Sequence, residues 1–186
     1  MTLFFTSDTH FNHENICRLS NRPFSSLEEM TEVFVNNWNS VVTKGSVVYH
    51  LGDFALSYGR KHYDTIDQIL SRLNGNKILI TGNHDRTEVI KNPRWSQVCQ
   101  YKELKLDLGD IHKQRIVMFH YPIRSWNQIH RGAWHLHGHC HGNLTDIGGK
   151  IMDVGVDCGN GGKPLSLEQV KSYMDARPII TCDHHQ

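Results

Sequence analysis

"LFFTSDTH" occupies residues 3–10, and its reading decides the fold. Apolar residues run from Leu3 as in a buried strand, and the run stops on two metal-binding side chains, Asp8 and His10. The arrangement recurs. "VVYHLGD" (47–53) ends on Asp53, and "KILITGN" (77–83) leads into Asn83–His84–Asp85. "RIVMFHY" (115–121) carries His120, and "AWHLHGH" (133–139) ends on His139, with His141 two residues on. Five strand ends in succession thus carry a potential metal ligand, where chance would supply one or two. In open α/β sheets, ligands gather beyond the carboxyl ends of parallel strands.

Helix signatures lie between the early runs. Ser25 and Ser26 stand three residues before Glu28 and Glu29, a capping-box arrangement, ahead of Leu27, Met30, Phe34, Trp38 and Val41. Ile66, Ile69, Leu70 and Leu73 form a second helical stripe, closed by Asn74–Gly75. Ser166 with Gln169 opens a third helix, buried through Leu167, Val170 and Met174, with Pro178 beyond its end. The first half therefore predicts parallel strands joined by helical crossovers. The second half adds "IMDVGVD" (151–157) and one or two strands in "QVCQYKELKLDL" (97–108). An α/β fold with two sheets in a sandwich fits this asymmetry; a single mixed sheet also fits.

The chain of 186 residues is expected to form one domain, residues 1–186. No run of roughly 18 apolar residues predicts a membrane span, and "MTLFFTSDTH" lacks the basic start of a signal peptide. Twenty Lys and Arg against nineteen Asp and Glu leave a net charge of +1, no sign of extended nucleic-acid binding. Five cysteines without a CxxC pair suit a reducing compartment, so the expected location is cytoplasmic.

"WHLHGHCHG" (134–142) places four histidines at alternate positions. Same-face neighbours on a strand start about 6.7 Å apart and four span about 20 Å, whereas zinc–nitrogen bonds are about 2.0–2.1 Å. Four in a straight strand cannot share an ion, but two can, with ligands from other strand ends. His139 and His141, flanked by Gly138 and Gly142, are the candidates; His135 and His137 read as buried, hydrogen-bonded residues. The candidate ligands are then Asp8, His10, Asp53, Asn83, His120, His139 and His141. Seven exceed one four-coordinate zinc and suit two ions sharing a ligand. A carboxylate can bridge two cations, so Asp53 is the natural bridge. Nitrogen and oxygen donors without thiolate suit two divalent ions, with manganese favoured and iron, zinc or nickel as alternatives.

The order D-x-H, G-D, G-N-H-D, H and G-H-x-H, running from Asp8 to His141, resembles the calcineurin-like metallophosphoesterase superfamily. It is more similar to the small bacterial and phage members than to the protein phosphatases. The resemblance implies that Asp8, His10 and His141 hold one metal and Asn83, His120 and His139 the other, with Asp53 shared. It implies a four-layer αββα sandwich flanked by helices. It also makes His84, the non-ligand histidine of the GNH motif, the general acid. Protein phosphatases carry GDxxDRG, whereas "GDFALSYGR" has Leu56 and Ser57 at the second aspartate and the arginine. The usual orienting carboxylate and a phosphate-binding arginine are therefore missing, which argues against a protein phosphatase.

The expected reaction is attack of a metal-bridging hydroxide on phosphorus, in line with a leaving group protonated by His84. Asp85 reads as a cap for the following turn rather than a partner of His84. His13 and Arg22 are candidate substrate contacts at the site mouth. The alternatives are a helix-capping loop near Glu14–Ile16 for His13 and a surface position for Arg22. Arg60, Arg86 and Arg124 are weaker candidates, and Cys140 is expected to point away from the site. The expected substrate is a small phosphodiester or nucleotide-like molecule. A phosphomonoesterase, a pyrophosphohydrolase and a non-catalytic metal-binding or regulatory protein are the alternatives.

Overall fold

The computed structural model describes residues 2–59, 62–109 and 112–182, and in it each apolar run becomes a strand. Strand β1 (Leu3–Thr6) leads through the short α1 (Ile16–Leu19) and the long α2 (Leu27–Val41) to β2 (Val47–His50). Helix α3 (Tyr63–Arg72) then leads to β3 (Asn76–Ile80), and α4 (Thr87–Ile90) to β4 (Trp95–Cys99). These four strands pair in parallel in the order β4-β3-β2-β1. A second sheet, in sequence order, comprises β5 (Tyr101–Leu106), β6 (Gln114–Phe119), β7 (Trp134–His137) and β8 (Ile151–Asp153). Only its β5–β6 pairing is antiparallel. Strand β9 (Leu165–Ser166) returns to the first sheet, antiparallel to β1, and opens α5 (Leu167–Asp175). The single mixed sheet is thereby excluded, and segment 97–108 divides between the end of β4 and β5.

Alternation along the strands builds the layers. Leu3, Phe5, Val47, Tyr49, Ile78 and Ile80 face Ile116, Met118, Trp134 and Leu136 across the sandwich. Their neighbours Phe4, Val48 and Leu79 face the opposite way, onto Met30, Phe34 and Trp38 of α2 and Ile66, Ile69 and Leu70 of α3. The outer face of the second sheet buries Val117 and Ile151 beneath Trp126, Ile129 and Ala133, in a segment holding a 3-10 turn at Ile129–Arg131. Strands buried on both faces explain why the runs are apolar almost without interruption.

The caps follow the sequence closely. Ser26 accepts the Glu29 N–H at 3.1 Å, while the Glu29 carboxylate reaches one residue further out, to the Ser25 N–H at 2.7 Å. Ser166 and Gln169 form a full capping box on α5. Among the described residues no helix is long and apolar enough to cross a membrane.

The strands end sooner than their hydrophobicity predicts. The runs were expected to continue to Asp53, Asn83, His139 and Asp157, but the ladders stop at His50, Ile80, His137 and Asp153. Asp8 (φ +58°), Gly52 (φ +96°), Asp53 (φ +56°) and His139 (φ +70°) occupy the left-handed region, which no ladder accommodates. The chain stays bonded regardless: Asp8, His10 and Phe11 donate N–H groups to the carbonyls of Gly52, Asp53 and Phe54 at 2.9–3.0 Å.

His135 is fully buried beside Trp126 and bonded on both nitrogens, to the Val117 carbonyl and the Ile123 N–H, each at 3.2 Å. Burial pushes its pKa from 6.5 to about 4. The unfolded chain therefore binds a proton that the native state refuses. Stability from this group is full above the unfolded value and is lost as pH falls towards 4. Between about pH 7.5 and about pH 5, wild type should lose about 2 kcal/mol more than His135→Gln in urea unfolding. Identical pH dependence in the two proteins would contradict this.

Candidate metal centre

The loops leaving β1, β2, β3, β6 and β7 meet at one rim of the sandwich and bring all seven candidate ligands together. Asp8, His10 and His141 form one group, and Asp53, His120 and His139 another, with donor atoms within 4.8 Å of one another in each. Asp53 joins them: its Oδ2 lies 3.6 Å from His10 Nε2 and 3.5 Å from His120 Nε2. Asn83 completes the second group, with its Oδ1 3.1 Å from both His120 Nε2 and His139 Nδ1.

Local backbone conformation makes this convergence possible. Five of the candidates, Asp8, His10, Asp53, His139 and His141, have φ between +49° and +70°. They are five of the eight non-glycine residues with positive φ among the described residues, so uncommon backbone is concentrated here. Gly138 is required by close approach: a Cβ there would collide with the Asp8 carboxylate and the Ser7 hydroxyl. Gly82 has the same relation to Asp53.

The residues fit a cation. Both ring nitrogens of His10, which is 3% exposed, are buried without a hydrogen-bond partner. Burial pushes His10 down to about 3 and the Asp8 carboxyl up to about 7. An ion between them would reverse the sense for Asp8 and occupy one of the two orphaned nitrogens. Burial also opposes ionisation of Asp53, but His120, the His84 N–H and His10 outweigh it and hold the carboxyl near 2. His120 is correspondingly raised: Asp53 overcomes the burial that disfavours its charge.

Two further carboxylates support the groups, and sequence reasoning misplaced or missed both. Asp85 does not cap α4, whose N-cap is Arg86 without a side-chain bond. It accepts the N–H groups of Asp53 and Gly82 at 2.9 Å and of Phe54 at 2.8 Å, fixing the loop that presents Asp53. Asp157 was overlooked, although its run ends on a carboxylate as the others end on theirs. It lies 2.7 Å from His141 Nδ1 and accepts two bonds from Arg22. Arg22 is therefore neither on the surface nor free to clamp a phosphate. It is 6% exposed, and its remaining donors are taken by the carbonyls of Asp8 and Thr9 and the Met30 sulfur.

A cavity of about 490 Å³ opens over both groups, lined by His10, Asp53, Asn83, His139 and His141. His84 and His13 line it too, their rings 5.3 and 5.6 Å from that of His10. The His84 N–H donates to Asp53 Oδ1 at 2.8 Å, so this residue is tied to Asp53 through its backbone. Cys140 also lines the cavity, contrary to the expectation of an outward side chain, because strand alternation stops at His137. His135 and His137 are buried and bonded to carbonyls, as their place inside the run predicts. Arg86 lies over the Tyr58 ring and Arg124 is exposed; neither lines the cavity, and Arg60 lies outside the described residues.

Comparison with known proteins agrees with this architecture. An uncharacterized protein of Methanocaldococcus jannaschii, MJ1445, is 33% identical over 184 residues, covering 96% of this chain and 94% of that protein. The Gene 66 protein of Mycobacterium phage L5 is 34% identical, covering 83% of this chain and 86% of its own. The crystal structure of AQ665 from Aquifex aeolicus, a protein of unknown function, matches with a TM-score of 0.69 at 25% identity. That match covers 92% of this chain and 98% of the other. The model of the calcineurin-like phosphoesterase family spans residues 1–185. With strand-end carboxylates, histidines and asparagine gathered on one rim and the family model matched along the chain, the protein belongs to the calcineurin-like phosphoesterases.

Proposed function

We propose that this protein hydrolyses a small phosphodiester with two divalent cations. One juxtaposition carries the reading: two ligand groups meet at Asp53, and the imidazole of His84, a member of neither, lines the same cavity. Asp8, His10 and His141 would hold one ion and Asn83, His120 and His139 the other, with Asp53 donating to both. Ions so held would supply Lewis acidity towards phosphate oxygens and acidify water. Manganese suits the mixed imidazole and carboxylate donors. His84 gives a proton to the departing oxygen, and its backbone bond to Asp53 holds it beside the carboxylate shared by both groups. His13, on the same wall, contacts the phosphoryl group or the leaving group.

The cavity falls within the roughly 300–1,000 Å³ of small-molecule sites. Among the described residues lining it there is no lysine or arginine. A monoester dianion or a pyrophosphate brings more charge than a diester and is commonly met by such side chains, so the lining favours a diester, cyclic nucleotides included. Five free cysteines suit a reducing, cytoplasmic setting. Turnover of p-nitrophenyl diesters and monoesters, and of a nucleotide and cyclic-nucleotide panel, by manganese-loaded protein tests the reading. The diester should lead in kcat/KM by roughly tenfold or more, about 1.4 kcal/mol of transition-state preference. A faster monoester would overturn the diester assignment, and no turnover of any ester would favour a binding role.

A further inference from the structure

The two ligand groups are supported by different chemistry. In the second, His120 Nδ1 meets the Leu51 carbonyl at 2.7 Å, an uncharged partner. In the first, His141 Nδ1 meets a carboxylate, Asp157 Oδ2, at 2.7 Å, with the Ser20 hydroxyl at 3.1 Å. Asp157 is in turn gripped by Arg22 through Nε at 2.9 Å and Nη2 at 2.8 Å. The same guanidinium donates to the Asp8 carbonyl at 2.6 Å and the Thr9 carbonyl at 2.9 Å, the two consecutive peptides that join Asp8 to His10. One ion pair, buried on its Arg22 side, therefore touches the His141 ring and the backbone that carries Asp8 and His10. A proton held on Nδ1 by Asp157 leaves Nε2 with a free lone pair, directed to the side where Asp8 Oδ1 lies 4.0 Å away.

We infer that Asp157, anchored by Arg22, is a positioning residue for His141 and sets the affinity of the first cation site independently of the second. The inference rests on the proposed two-cation function. Among the described residues nothing comparable reaches the second group: its loop is fixed by Asp85, which bonds to the backbone N–H groups of Asp53, Phe54 and Gly82.

Calorimetric titration of manganese into the chelator-stripped full chain tests this. Wild type should bind two ions. In Asp157→Asn, one site should weaken by roughly 10–100-fold, the usual effect of losing such an outer partner, while the other keeps its affinity. The manganese concentration for half-maximal turnover should rise in parallel, with kcat restored at saturation. Asp157→Glu, which keeps the charge facing Arg22, should recover part of the loss and provides the readout if the asparagine variant does not fold. In a His141→Ala background, Asp157→Asn should add no further deficit, because a residue acting through His141 has nothing left to position. Equal weakening of both sites, or additive losses in the double variant, would overturn the inference. Unchanged two-ion binding in Asp157→Asn overturns it alone, whereas wild type that takes up no ion overturns the proposed function with it.

Discussion

Asp53→Asn is expected to abolish the two-ion state. The substitution keeps the shape of the side chain and an oxygen for the His84 N–H, but removes the negative charge lying 3.5–3.6 Å from both His10 and His120. It thus withdraws the carboxylate that joins the two ligand sets, leaving imidazoles to face cations without it. The loss should exceed the roughly 10–100-fold that removal of an outer partner brings, affect both sites and carry turnover down with it. Metal analysis after gel filtration in limiting manganese gives the stoichiometry directly. Two ions retained at wild-type affinity would show that Asp53 is not shared.

His84→Ala should fail in a different way. Its imidazole belongs to neither ligand group, and the backbone N–H that bonds Asp53 survives the substitution. Both ions should therefore remain, while kcat on an alkyl phosphodiester falls by roughly 10²–10⁴-fold, the usual contribution of general acid catalysis. A p-nitrophenyl ester, whose leaving group needs little protonation, should lose much less. Equal losses on the two substrates would assign His84 to orientation rather than proton transfer. Full activity on the alkyl ester would remove it from the mechanism.

The contrast between these residues and the ones misread marks how far the sequence reaches. The candidate ligands were legible because parallel strands discharge their carboxyl ends at one rim, so each apolar run points to its own terminal residue. Asp157 obeys the same rule and needed only the sixth run to be treated like the other five. Asp85 was misread because its partners Asp53 and Phe54 are about thirty positions away, whereas capping is a local argument. Arg22 is further removed still: its carboxylate lies 135 positions downstream, and a guanidinium with no local partner reads as solvent-exposed. The strand limits and the direction of Cys140 share one cause. Hydrophobicity reports burial and not backbone conformation: the left-handed Asp8, Gly52 and Asp53 are as buried as the strands before them, and the left-handed His139 follows β7 by two residues.

Those left-handed residues have a consequence for anyone trying to toughen the protein. Glycine would sit at Asp8, His10, Asp53, His139 or His141 with less conformational penalty than the side chain now there. Backbone stability and the chemistry therefore pull in opposite directions at these positions, offset in part by the N–H bonds that the Asp8 and Asp53 carboxylates accept.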